Sequence, residues 1–246
     1  MATEHQNNEK SFWSQRWQEG STGWDLGGTH PGLPAAVELL LGVRSDSDDG
    51  TRSVLEAYVP GCGRAHDVAW LAQYKGGGQV PLWRKVVGVD FAPEAIKEAR
   101  DLYGQVEGVS LRCEDAASVT EQDREWYHLV FDRAMLCALR PDLRPSYMAS
   151  VADRLAPGGV HLVFLFDRIK PRHEGENPRT SGPPFEIDLP LYEQLACPLG
   201  FEILAQRPWL TRWPSGREMS ELIVVARKKI LRSIQSPFST DSRTGP

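Results

Sequence analysis

Val54-Leu55-Glu56-Ala57-Tyr58-Val59-Pro60-Gly61-Cys62-Gly63-Arg64 decides the fold. An apolar run, Val54–Val59, ends in a Pro-Gly-Cys-Gly turn, which predicts a strand followed by a glycine turn. The next stretch, Asp67–Tyr74, carries Val68, Ala69, Leu71 and Ala72 and predicts a helix. Lys85–Val89 then predicts a second strand, closed by Asp90. Strand, glycine turn, helix, strand and acid form the opening unit of a parallel sheet.

Working outward, the alternation continues. Pro93–Leu102 predicts a helix with proline in its first turn, where a missing N–H costs nothing. Val109–Arg112 and Leu129–Phe131 predict short strands, ending at Glu114-Asp115 and Asp132-Arg133. Leu143–Leu155 predicts a helix stopped by Pro157-Gly158-Gly159. Val160–Phe166 is a continuous apolar run, as in a strand buried on both faces. A proline-rich polar loop, Asp167–Pro184, precedes a helix around Leu191–Ala196. Phe201–Ala205 and Leu222–Ala226 predict two last strands, joined by Gln206–Glu221. The expected fold is α/β: an open, mostly parallel sheet with helices on both faces. Residues 11–230 are expected to form one domain, with loose polar ends at 1–10 and 231–246.

Composition narrows the function. The chain has 246 residues, with 28 Lys plus Arg against 33 Asp plus Glu, for a net charge of −5. An acidic chain with no basic block is a poor partner for nucleic acid phosphates. No apolar run is long enough to span a bilayer, and Met1–Ser11 lacks the core of a signal peptide. Four scattered cysteines without a CxxC pair speak against a zinc site and for buried thiols in a reducing, cytoplasmic setting.

In open parallel sheets, ligands sit beyond the C-terminal strand ends. That rule marks Gly61–Gly63, Asp90, Asp115 and Asp132-Arg133. The turn is not a full GxGxxG, because His66 takes the third glycine position, and it lacks the Lys-Ser/Thr of a P-loop. Taken alone it reads equally as an ordinary strand-to-helix turn. Asp90 can accept from both ribose hydroxyls or cap the following helix. Asp115 can meet an adenine or stay a solvated loop carboxylate. Turn and acid together favour an adenosine-type ligand. Five of the six histidines, His30, His66, His128, His161 and His173, are candidates, and none sits in a recognisable base motif.

Several segments carry a resemblance. They are Phe12-Trp13-Ser14-Gln15-Arg16-Trp17-Gln18-Glu19-Gly20, Gly23-Trp24-Asp25, Val59-Pro60-Gly61-Cys62-Gly63, Val87-Gly88-Val89-Asp90, Phe131-Asp132-Arg133-Ala134-Met135-Leu136-Cys137-Ala138-Leu139 and Gly182-Pro183-Pro184-Phe185. In this order they resemble a Rossmann-like class I methyltransferase that binds S-adenosylmethionine. More narrowly, the chain looks like the thiopurine methyltransferase family with its thiol and halide methyltransferase branch. The likeness implies a seven-stranded sheet with an N-terminal helical lid. It implies cofactor-binding roles for Trp13, Trp17, Trp24, Gly61, Asp90, Asp115, Ala116 and Arg133. Arg133 stands where the thiopurine branch has Arg and the plant branch has Tyr, and it could position either cofactor or substrate. Independently, Trp13 and Trp17 are four apart and share a helix face, where indoles attract a sulfonium or simply pack. Pro184 and Phe185 could wall the acceptor, with Trp209, Trp213 and Arg217 as weaker candidates.

The resulting expectation is methyl transfer to a small thiol by in-line displacement, in a monomer, with no metal and no assigned base. Halide, thiocyanate or N-/O-methylation are close alternatives. A nicotinamide-dependent oxidoreductase and a non-catalytic cofactor-binding module are alternatives of other classes.

Overall fold

The computed structural model describes residues 4–43, 55–170, 173–213 and 216–230. Seven strands form one sheet in the order β3-β2-β1-β4-β5-β7-β6. They are β1 (Leu55–Pro60), β2 (Trp83–Asp90), β3 (Val109–Cys113), β4 (Tyr127–Arg133), β5 (Leu155–Arg168), β6 (Phe201–Arg212) and β7 (Glu218–Lys228). The first five are parallel, and β7 runs antiparallel between β5 and β6. The sheet has the seven, mostly parallel strands that the resemblance implies. The switch in strand order falls between β1 and β4, beside the glycine turn.

The period-two pattern sends alternate residues into two cores. Ala57, Val59, Leu162, Phe164, Ile223 and Val225 face one side, with helices α2 (Leu33–Val43) and α3 (His66–Gln73). Tyr58, Val163, Leu165, Val224 and Ala226 face the other, with α5 (Arg144–Arg154) and α6 (Leu189–Ala196). Burial on both faces explains why the strands read as apolar runs rather than alternations. Helix α4 (Pro93–Tyr103) follows β2, and α1 (Glu4–Gln18) packs across its start.

Three readings change. Gln206–Glu221 is not a simple connector: β6 reaches Arg212 and β7 starts at Glu218, a long hairpin whose polar outer residues hid the alternation. Helix α2 had not been anticipated, although Leu33, Ala36, Val37 and Leu40 sit at helical spacing and are buried. The stretch 1–10 was expected to be loose, yet α1 begins at Glu4. Glu, Gln and Lys are good helix formers, and elongation from an anchored turn adds one backbone bond per residue. Residues 1–3 and 231–246 lie outside the described residues.

Candidate active site

A cavity of about 350 Å³ opens at the C-terminal ends of β1, β2, β3 and β4. Trp13, Trp17, Trp24, Gly61, Asp90, Asp115, Ala116, Arg133 and Pro184 all line it. Phe185 does not. It is buried behind the wall, its N–H donates to the Cys137 carbonyl (2.7 Å), and Arg144 lies over its ring (5.1 Å). The Pro-Pro step before it presents Pro183 and Pro184 instead. Trp213 and Arg217 line the cavity as well, while Trp209 packs against Gly32.

The floor is the glycine turn. Gly61 and Gly63 hold φ values of 58° and 52°, a region side chains resist. A Cβ on Gly61 would lie 3.0 Å from Met135 Sδ, and one on Gly63 3.5 Å from the Trp17 ring. The backbone thus approaches the cavity where a side chain would fill it. Asp90 ends β2 beside the turn. Its carboxylate accepts from Gly63 N–H (3.1 Å) and Ala92 N–H (3.0 Å). Burial pushes its pKa up to about 6, against the pull of those backbone donors.

The roof is α1 and the loop after it. Trp13 and Trp17 both meet Trp24 edge-on, at 5.0 and 5.8 Å between ring centroids. Trp17 is buried against Ala92 and Ala95 at the start of α4. Lys10 pairs with Asp115 at 3.1 Å, and Gln18 donates to Glu94 at 2.7 Å. Arg64 follows the glycine turn, lies 5.1 Å over Trp17 and bonds Asp25 and Glu98. Each tie joins the roof to a strand end or to α4.

Beyond the switch point, Asp132 and Arg133 end β4. Asp132 is fully buried and accepts from Met135 N–H (3.0 Å), Leu136 N–H (3.3 Å) and Tyr147 O–H (2.6 Å). Burial raises its pKa to about 6 despite these donors. The Arg133 guanidinium lies 5.9 Å from the Phe166 ring and 5.6 Å from that of Trp213, and its Nη1 donates to the Trp24 carbonyl (3.4 Å). Its Nη2 is buried without a partner among the described residues. Glu221, on β7, stands 3.6 Å from Arg133 Nε.

Sequence reasoning missed Glu221 and gave His30 no role. The two bond each other across 191 residues of chain, so no local motif could reveal them. The one available signal was an acid next to the apolar run Leu222–Val225.

The sequence profile of the family described as thiopurine S-methyltransferase (TPMT) matches residues 8–208. The chain belongs to the thiopurine S-methyltransferase family. Thiocyanate methyltransferase 1 of Arabidopsis thaliana is 29% identical over 204 residues, 82% of this chain and 78% of that protein. Probable thiol methyltransferase 2 of the same plant is 30% identical over 201 residues, 80% and 76% of the two chains. Among solved structures, the 1,6-didemethyltoxoflavin-N1-methyltransferase of Burkholderia thailandensis superposes with a TM-score of 0.64 at 18% identity, covering 93% of this chain and 92% of that one. This TPMT-family chain is an S-adenosylmethionine-dependent methyltransferase acting on a small-molecule acceptor.

The cavity fits that cofactor on its own chemistry. It offers a buried carboxylate at the second strand end, a backbone cradle that a Cβ would fill, and indoles around the opening. It also holds a buried guanidinium N–H with no partner among the described residues.

Proposed function

We propose that the protein methylates the sulfur of a small-molecule thiol, with the acceptor entering on the Arg133 side. The observation that carries this reading is the unpartnered Arg133 Nη2 beside the apolar walls of Phe166, Trp213, Met135 and Pro184. A guanidinium in apolar surroundings suits a weakly hydrated anion such as a thiolate. It suits an amine poorly, because an alkyl amine is a cation near neutral pH.

Sheet order supports a division of labour. Asp115, Asp90 and Gly61 follow β3, β2 and β1 in a row, and Arg133 lies one strand further on. Asp115 with Ala116 would take the adenine, Asp90 the ribose hydroxyls and the Gly61 turn the methionine part. Trp13, Trp17 and Trp24 would enclose the sulfonium, each indole contributing about 0.5–2 kcal/mol toward a cation. S-adenosylmethionine supplies an electrophilic methyl group on that sulfonium. The roof excludes water from the cavity and holds the reactants for in-line approach.

No residue needs to act as a base. A thiol with a pKa near 8.5 is already partly ionised. The Arg133 charge favours the thiolate further. Asp132 has its oxygens committed to Met135, Leu136 and Tyr147. The same anion preference supports thiocyanate or halide as a second reading, in line with the Arabidopsis relative. We read the chain as a cytoplasmic monomer that needs no metal.

The test is methyl transfer from radiolabelled S-adenosylmethionine to benzenethiol, an alkyl thiol, hydrosulfide, thiocyanate, iodide and an alkyl amine. We expect labelled thioethers, with kcat/KM for the best thiol at least tenfold above thiocyanate and iodide. Transfer confined to the amine overturns the reading, and faster transfer to thiocyanate moves it to the second one.

A further inference from the structure

We infer that Glu221 is a positioning residue, which acts on the methyl acceptor through Arg133. The inference rests on the placement of the acceptor beside Arg133 proposed above. It concerns how that guanidinium is held, whatever nucleophile it meets.

Glu221 is fully buried on β7, and the Arg133 side chain is only 8% exposed. One end of the Glu221 carboxylate is fixed by the protein alone. Its Oε2 accepts from the Thr211 hydroxyl, on the paired strand β6, and the His30 Nε2–H is shared between that hydroxyl oxygen (2.8 Å) and Glu221 Oε2 (3.1 Å). His30 is held in turn. Its Nδ1 accepts from Gly32 N–H (3.2 Å), which assigns the ring proton to Nε2. Its backbone N–H donates to Asp67 (2.7 Å). The carboxylate therefore has a set position without any ligand.

The other end of the carboxylate is different. Among the described residues, Glu221 Oε1 has no hydrogen-bond partner, and neither has Arg133 Nε, 3.6 Å away. Arg133 Nη2 is a third partnerless buried atom in the same place. A buried ion pair that serves only the fold is normally closed by hydrogen bonds, since open valences there cost free energy. Here attraction across 3.6 Å turns the guanidinium toward Glu221 without consuming its Nη2. The Trp24 carbonyl holds Nη1, and Phe166 and Trp213 bound the planar group. Glu221 thus limits the swing of Arg133 and leaves one N–H for the acceptor.

Burial would push the Glu221 carboxyl upward, but His30, Arg133 and Thr211 outweigh it and hold it below the usual range. It therefore stays the counter-charge to Arg133 across the working pH range.

A double-variant cycle tests this, using Glu221→Gln, Arg133→Met and the combination in the full chain. Glutamine keeps an oxygen for Thr211 and His30 but removes the charge facing Arg133. We expect Glu221→Gln to lower kcat/KM for the acceptor at least tenfold, and to move the S-adenosylmethionine dissociation constant less than twofold. In the Arg133→Met background the same change should alter acceptor kcat/KM less than twofold, because its target is gone. Equal loss of cofactor affinity, or additive effects in the double variant, would overturn the inference. Should Glu221→Gln not fold, Glu221→Asp replaces it. Drawn back by one methylene, it should weaken the acceptor at least threefold, again only when Arg133 is present. A wild-type protein that methylates no thiol would defeat the thiol reading alone, since the cycle can be run on whichever acceptor is turned over.

Discussion

Asp90 carries two opposing demands. Its pKa near 6 in the folded chain lies above the ordinary 3.8, because burial outweighs the N–H groups of Ala92, Gly63 and Phe91. The folded protein then retains a proton that the unfolded chain has already released. Its contribution to stability is full below about pH 4 and is lost as pH rises through 6. A rise from 3.8 to about 6 corresponds to about 3 kcal/mol. Asp90→Ala lacks this term, so its melting temperature relative to wild type should climb between pH 4 and 8 in the absence of cofactor. A pH-independent difference would remove the argument. Binding runs the other way, since ribose hydroxyls need an ionised acceptor. Titration calorimetry should find S-adenosylmethionine affinity strengthening as pH rises through 6. At pH 7.5, Asp90→Ala should weaken it at least tenfold. The site therefore favours an ionised carboxylate that burial resists.

Helix α1 shows the same coupling one level up. Its contacts lie on Trp13, Trp17, Lys10 and Gln18, and they tie it to Trp24, to the start of α4 and to the β3 end. Lys10 and Asp115 are both partly exposed, so their pair is worth less than about 1 kcal/mol to the fold. It nonetheless ties the roof to the β3 end. Lys10→Ala should leave the melting temperature within about 2 °C while raising the cofactor off-rate several-fold in stopped-flow fluorescence. An unchanged off-rate would mean the roof does not gate release. Trp17→Ala removes a buried indole and should cost about 3–5 kcal/mol of stability as well. These residues were legible because Trp13 and Trp17 lie one helical turn apart. Asp90 and Asp132 were legible because each closes an apolar run. The β6–β7 hairpin was not, since Gln206, Arg207, Arg212 and Glu218 give an edge strand no apolar signature. Phe185 misled for a related reason. Sequence gives its neighbourhood but not its direction, and it points into the protein behind the Pro183-Pro184 wall.

At the scale of the whole molecule, sheet order arranges the chemistry in space. From β3 through β2 and β1 the strand ends present Asp115, Asp90 and the glycine turn, and from β4 through β5 to β7 they present Arg133, Phe166 and Glu221. The antiparallel insertion of β7 matters for the second group. It brings Glu221 and Thr211, from one hairpin, against His30 from the loop before α2 and Arg133 from the middle of the sheet. The two halves should therefore respond separately to ligands. Backbone hydrogen exchange offers a direct measurement, because local opening reports how each segment is held. S-adenosylhomocysteine alone should slow exchange in α1, in residues 61–67 and at 114–118, with little change at 209–221. Adding a thiol acceptor should extend protection to 209–221 and 133–139, because the nucleophile completes the bonds that Arg133 leaves open. In Glu221→Gln the first pattern should persist and the second should weaken. If S-adenosylhomocysteine protected the hairpin as strongly as it protects α1, the halves would be one cooperative unit. Arg133 would then belong with the cofactor rather than with the acceptor.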